Sequence, residues 1–188
     1  MTFSQYRVYL ILFVLMVSSW MLADLYEQKE IKEFVAADHS PDFFSTGYYK
    51  KEMTLLGVAK NKLIADKMVH YSDDGRTHLE NPVMTLYGSD LPPWVITSET
   101  GVLEADGNHL LLKGKVVITR AGAKQRKPFK INTSNLKVEL SISYAETDQW
   151  AEIINGLNKT EGIGLEATFV EPIKLKFLSK VKGRYVLN

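Results

Sequence analysis

From Asp106 to Thr119 the chain reads DGNHLLLKGKVVIT. Leu110, Leu112, Val116 and Ile118 fall on one side; Lys113, Lys115 and Thr119 fall on the other. The stretch therefore predicts a strand with one apolar and one wet face, although Leu111 and Val117 break the polar row and Gly114 sits in the middle. The longest clean alternation is Leu136, Val138, Leu140, Ile142 and Tyr144 against Lys137, Glu139, Ser141 and Ser143, predicting a strand over 136–144. Ile173, Leu175 and Phe177 alternate with Lys174 and Lys176. Val181, Tyr185 and Leu187 alternate with Lys182, Arg184 and Val186. Further strands are predicted over 128–134 and 77–87. Pro82 marks a bulge or an edge in the latter and leaves open whether Val83 or Met84 faces inward.

Turn signals punctuate these runs: Leu56-Gly57, Ser72-Asp73-Asp74-Gly75, Gly88-Ser89-Asp90, Asp106-Gly107-Asn108, Ala121-Gly122-Ala123, Asn155-Gly156, Glu161-Gly162 and Lys182-Gly183. One apolar and one wet face per strand implies antiparallel pairing, and no amphipathic helix follows residue 37. An all-β sandwich, roll or barrel is expected from Phe43 onward.

The amino-terminal pattern differs. Val8 to Ala23 reads VYLILFVLMVSSWMLA without a charge, flanked by Tyr6 and Tyr26, with Trp20 near one end. About 20 helical residues cross a ~30 Å hydrocarbon slab, and amphipathic aromatics prefer its borders. Ser18 and Ser19 can bond to helix carbonyls. A cleaved signal peptide is the rival reading, but Met21 and Val17 stand where small residues would be needed before Ala23 or Ser19. An uncleaved anchor over residues 1–26 is expected. Arg7 and the amino terminus point its start to the cytoplasm against Asp24 and Glu27 beyond it. Residues 27–42, charged and helix-compatible to about Ala37, read as a linker, and 43–188 as the body.

Composition narrows the chemistry. With 188 residues, 45% hydrophobic and 24% charged, the chain holds about one folded domain. A net charge of +1 gives no basic excess for nucleic acid. The lack of cysteine excludes disulfides, thiolate zinc and a cysteine nucleophile. His39, His70, His78 and His109 lack the spacing that puts two ligands on one strand face, so neither metal nor cofactor is expected. Ser72–Gly75 lacks a full calcium loop and reads as a hairpin turn. No phosphate loop, nucleophile elbow or acid/base pair stands out, Glu99/Glu104 included, and no catalysis is expected. Lys124-Gln125-Arg126-Lys127 reads as a solvated loop.

Five stretches in order resemble the LptC family of lipopolysaccharide export: LIADKMVHYSDD (63–74), ENPVMTLYGSDLPPWVITSETGVLEADG (80–107), HLLLKGKVVIT (109–119), INTSNLKVEL (131–140) and NGLNKTEGIGLEA (155–167). The middle two also resemble the repeat of the soluble bridge protein LptA. The sparse positive charge before the apolar segment is a departure. The resemblance implies a twisted, open antiparallel β-jellyroll of two facing sheets behind one transmembrane helix. It implies an inner-membrane protein, amino terminus cytoplasmic and bulk periplasmic. Lipopolysaccharide would pass from the LptB/LptF/LptG transporter to LptA through the jellyroll. LptF and LptG would meet the helix and the amino-terminal edge.

On that reading Tyr48, Leu79, Leu110, Leu112, Val116, Ile118, Leu136, Val138, Leu140, Leu175, Phe177 and Tyr185 line the lipid path, a smooth apolar lining without polar anchors. Gly156 and Gly164 are structural. Val181, Lys182, Gly183, Arg184, Tyr185, Val186 and Leu187 form the LptA-docking edge, left open where the chain ends, with Tyr185 and Leu187 inward and Lys182 and Arg184 toward water. Alternation alone suits a packed core and a lipid groove alike. A tethered β-domain scaffolding envelope proteins without lipid is the alternative; an anchored enzyme would need acid/base residues that the sequence does not offer.

Overall fold

A computed structural model describes residues 3–27, 39–88, 91–123 and 127–186. The chain divides into two compact units, Met1–Asp38 and His39–Asn188. In the first, α1 covers Phe3–Glu27. Tyr6 and the run Tyr9–Ala23 are exposed. No helix among the described residues is long and apolar enough to cross a membrane.

The second unit is all antiparallel β: β1 (Pro41–Met53), β2 (Ala59–Tyr71), β3 (Thr77–Glu80), β4 (Val83–Leu86), β5 (Trp94–Leu103), β6 (His109–Arg120), β7 (Phe129–Glu139), β8 (Tyr144–Asn155), β9 (Asn158–Thr168) and β10 (Lys174–Arg184). They form one ten-stranded sheet in which β3 and β4 follow one another between β2 and β5. Asn81-Pro82 separates β3 from β4, so Pro82 is the predicted interruption; Met84 is fully buried and Val83 half-buried, which settles the inward phase.

The expected all-β class is present, but its two faces are halves of a single sheet. The strands bend along a common line. On β2 the buried positions step Leu63, Ala65, Met68; on β7 they step Ile131, Thr133, Leu136, Val138. Each strand skips one residue there, and its inward side changes phase. Left-handed backbone marks the line at Gly47, Asn81, Gly114, Asn135, Gly164 and Lys180. Side chains stitch it: Asn81 Nδ2 donates to Asp66 Oδ2 (3.0 Å), and the Gly114 amide donates to Asn135 Oδ1 (3.1 Å). Register slips on β5, β6, β8 and β10 lie on the same line, as bulges that sharpen bend and twist.

The bent sheet rolls onto itself. Trp94 opens β5 and Phe169 follows β9, yet their ring centroids are 5.1 Å apart. In a flat sheet four strand spacings would separate them by about 19 Å. Likewise Lys50 Nζ on β1 donates to Gly107 O in the β5–β6 turn at 3.4 Å. Both contacts join opposite halves several strands apart. The halves therefore face one another with an offset that leaves part of the inner face uncovered beside β1 and beside β10. These two strands are the open edges and do not pair with each other. Between the halves lies one core cluster, contributed by β2 to β9 with Leu140 and Phe169 beside them.

Four expectations need correction. The strand predicted over 136–144 is the end of β7, a turn at 140–143 and the start of β8. Ser143 takes φ 52° and Ile142 is 53% exposed, so periodicity ran across a tight reversal. Glu161-Gly162 lies inside β9, where a Cβ on Gly162 would meet the Phe177 ring at 2.8 Å and Ser179 O at 3.0 Å. That glycine admits a close crossing rather than a turn. Lys182-Gly183 likewise lies inside β10. The separate strands read over 173–177 and 181–187 are one, slipped between Ser179 and Lys182.

A candidate lipid-facing interior with two open edges

The β6 row sits at the centre of the interior. Leu110 is 1% exposed, and Leu112, Val116 and Ile118 are 0% exposed. Register carries the row across the sheet: Leu112 pairs with Gly101 and Leu136, and Ile118 with Ile96 and Ile131. A Cβ on Gly101 would approach Leu112 Cδ2 at 3.4 Å, so Leu112 fills the space that glycine leaves. Leu79, Leu136 and Val138 join the same core, and Leu140 joins it from the turn after β7. The interior is packed.

Tyr48, Leu175 and Phe177 are half-buried against this core from the two edge strands. Burial raises the Tyr48 hydroxyl pKa. Ile153 and Phe129 share that marginal position, as do Leu63, Met84 and Ile96 the full core. The sequence reading missed them. Alternation at Leu63/Ala65 and Trp94/Ile96 was the available signal, obscured by Pro82 and by the phase change at Asp66.

Tyr185 follows β10 and is 69% exposed, so it does not pack in the core as the lining residues do. Its hydroxyl lies 3.3 Å from Thr160 Oγ1. Thr160 pairs with Gly183 and with the half-buried Ile153, so the Tyr185 ring lies on the core-facing side where the inner face is uncovered. Lys182 pairs with Glu161 on the opposite side. Val181, Lys182, Gly183 and Arg184 occupy the outer edge of β10, and Val186 N donates to Asn158 Oδ1 at 3.0 Å just beyond it. Leu187 lies outside the described residues. On the other edge, Phe43, Phe44 and Tyr49 are exposed.

The lining is not uniformly apolar. Asn61, 1% exposed, sits on the inner face of β2 and donates to Glu52 Oε2 at 2.7 Å, while Lys60 Nζ lies 3.1 Å from Glu52 Oε1. The Asn61 bond first, then Lys60, holds the Glu52 carboxyl below its usual pKa. A polar cluster thus sits at the β1–β2 margin of the interior, where a smooth lining was expected. A buried amide needs such a partner.

Gly156 takes φ 61° in the two-residue β8–β9 turn, Gly156-Leu157, where a positive φ at the first position suits a hairpin. Gly164 takes φ 72° on the bend line, and a Cβ there would lie 2.8 Å from Leu178 Cδ1. Gly164→Val should lower stability by about 2–4 kcal/mol, from left-handed strain plus overpacking. Gly156→Ala should cost about 1 kcal/mol, its close neighbour being the flexible Lys127 stem. Equal urea midpoints for wild type and Gly164→Val would refute the bend-line role.

His39 bonds Asp73 at 3.0 Å and His70 bonds Thr77 at 3.0 Å. His109 bonds Asp106, whose carboxyl is lowered to about 2, first by the Asn108 amide and then by His109. Among the described residues no group of three or more such side chains could hold a metal. The Ser72–Gly75 segment is the β2–β3 turn. The basic cluster from Lys124 lies, except Lys127, outside the described residues.

A family model described as "Lipopolysaccharide-assembly, LptC-related" matches residues 8–186. A search of curated proteins finds no match.

Proposed function

The chain belongs to the LptC-related family of lipopolysaccharide-assembly proteins, and we propose that it is the inner-membrane-anchored segment of the lipopolysaccharide transport bridge. Family membership makes it a component of lipopolysaccharide transport in the Gram-negative envelope. On the proposed reading, α1 anchors the chain with its amino terminus cytoplasmic, residues 27–42 tether it, and the body from residue 43 stands in the periplasm. It receives lipopolysaccharide from the LptB/LptF/LptG transporter at the β1 edge and passes it to LptA at the β10 edge. It does so without catalysis.

The observation that carries this reading is the continuous apolar interior running out to half-buried Tyr48 at one open edge and Leu175 and Phe177 at the other. Acyl chains would bind it through apolar area, at about 0.8 kcal/mol per buried CH₂. The exposed apolar side chains of α1 support the anchor, since such a face needs an apolar environment.

One observation favours the alternative, a tethered scaffold that carries no lipid: Leu112, Val116 and Ile118 are already fully packed. Lipid would have to part the halves, and the unpaired β1/β10 seam is where the least hydrogen bonding opposes that. Photo-crosslinking in cells separates the two. A crosslinker at Tyr48 or Phe177 should capture lipopolysaccharide, while one at outward Tyr49 or Lys176 should not. Equal capture from both sets, or none from either, would reject the conduit.

A further inference from the structure

The β1–β2 hairpin ends in Thr54-Leu55-Leu56-Gly57-Val58. Leu55 is 107% exposed, Leu56 90%, Val58 61% and Met53 47%. The tip is an ordered loop. Thr54 N donates to Val58 O (2.7 Å), Gly57 N to Thr54 O (2.9 Å), and Val58 N to Thr54 Oγ1 (3.2 Å). Gly57 takes the left-handed φ of 74° that closes it. Nothing in that turn calls for leucine at its two outer positions, where Asn, Asp, Ser or Pro would serve. The core does not use these side chains either.

The charges around the tip point to its partner. Lys50–Lys62 holds four lysines and one glutamate, in a chain whose total net charge is +1. Glu52 engages Lys60, and Lys50 reaches Gly107 O. Lys51 and Lys62 lie directly opposite each other across the β1–β2 pair, without an ion pair among the described residues. Like charges so placed oppose pairing, a cost that an anionic surface removes. Exposed aliphatics ringed by lysines match the interface of an acidic bilayer, where the chains enter the acyl boundary and ammonium groups meet phosphates.

We propose that the β1–β2 tip is a membrane-contacting element: Leu55 and Leu56 enter an anionic bilayer surface while Lys51 and Lys62 bind its phosphates. This goes beyond lipid conduction and holds the β1 edge at the membrane. The bilayer is within range: β1 carries the tip at most about 43 Å from Pro41, and if α1 is the anchor, the 13 residues between Glu27 and Pro41 can span a comparable distance, about 45 Å.

The cysteine-free sequence makes the test clean. Full-length protein carrying Val58→Cys, labelled with an environment-sensitive fluorophore, is reconstituted in phosphatidylcholine bilayers with or without phosphatidylglycerol. The expected result is a blue shift, with quenching by lipid-borne quenchers in the anionic bilayer that high salt reverses. Leu55→Ser/Leu56→Ser should weaken tip insertion more than about tenfold, and Lys51→Gln/Lys62→Gln should remove the dependence on phosphatidylglycerol. A parallel label at Ser18→Cys reports the anchor separately. A quenched Ser18 label beside an unquenched tip overturns the proposal and leaves the anchor standing. A tip label that shifts only when the transporter is added, without lipid quenching, overturns it in favour of a protein contact.

Discussion

Leu112→Asp should unfold the β domain rather than merely weaken its hold on lipid. Leu112 is 0% exposed, lies between Gly101 and Leu136 across the sheet, and fills the volume beside that glycine. Removing a buried leucine side chain costs about 3–5 kcal/mol. A carboxylate in the vacated site adds several more unless it takes up a proton. A domain of this size is stable by only about 5–15 kcal/mol, so the sum consumes most of it. Burial raises the folded-state pKa of the new carboxyl above its unfolded value near 4, so stability is retained at low pH and lost as pH rises through the raised value. Lys113→Asp, on the exposed face one residue away, should change stability by less than about 0.5 kcal/mol. Urea unfolding followed by circular dichroism decides it. A Leu112→Asp midpoint equal to wild type would mean that the interior is hydrated and the halves stand apart without lipid.

The packing of that row was legible in the sequence because alternation on β6 is locally complete: Leu110, Leu112, Val116 and Ile118 needed no knowledge of the neighbouring strands. The bend line was not legible. At Asn135 and Gly164 the chain skips one residue and changes its inward face, and single-strand periodicity has no means of distinguishing such a skip from a turn. That is why β7 was divided at residue 135 and its second half run on through the reversal at Ser143. The same slip at Lys180 divided β10. Conversely, Glu161-Gly162 and Lys182-Gly183 read as turns because glycine is the common turn residue, whereas here both sit in strands beside aromatic rings. The polar cluster of Glu52 and Asn61 was hidden for another reason. Asn61 falls between two lysines in a run that reads as solvated, and only the pairing of Glu52 with Asn61 turns it inward. The exposed state of Tyr185 depends on the offset between the halves, a property of the whole roll rather than of any strand.

Deleting residues 181–188 should abolish capture of LptA while leaving association with the transporter intact. The segment removed is the outer part of the β10 edge. It pairs inward through Lys182 with Glu161, Gly183 with Thr160 and Arg184 with Lys159, and its other side carries backbone groups with no strand beside them among the described residues. An incoming strand would bond to those groups at roughly 0.5–1.5 kcal/mol each, so a loss of three or four weakens binding on the order of a hundredfold or more. Little of the core goes with it. Val181 is 56% exposed, Tyr185 69% and Val186 42%, and among the described residues none beyond Phe177 packs against the core cluster. The truncated body should therefore keep its circular dichroism spectrum and its urea midpoint within about 1 kcal/mol of wild type. Val186→Pro is a weaker probe than its place near the edge suggests, because the Val186 amide already donates to Asn158 within the chain. The transporter contact is proposed at the opposite edge, where β1 with Phe43, Phe44 and Tyr49 is untouched by the deletion. Pull-downs with each partner in turn make the comparison. Wild-type capture of LptA by the truncated chain would show that the β10 edge is not the docking strand, and loss of both partners together would show that the two edges are not independent.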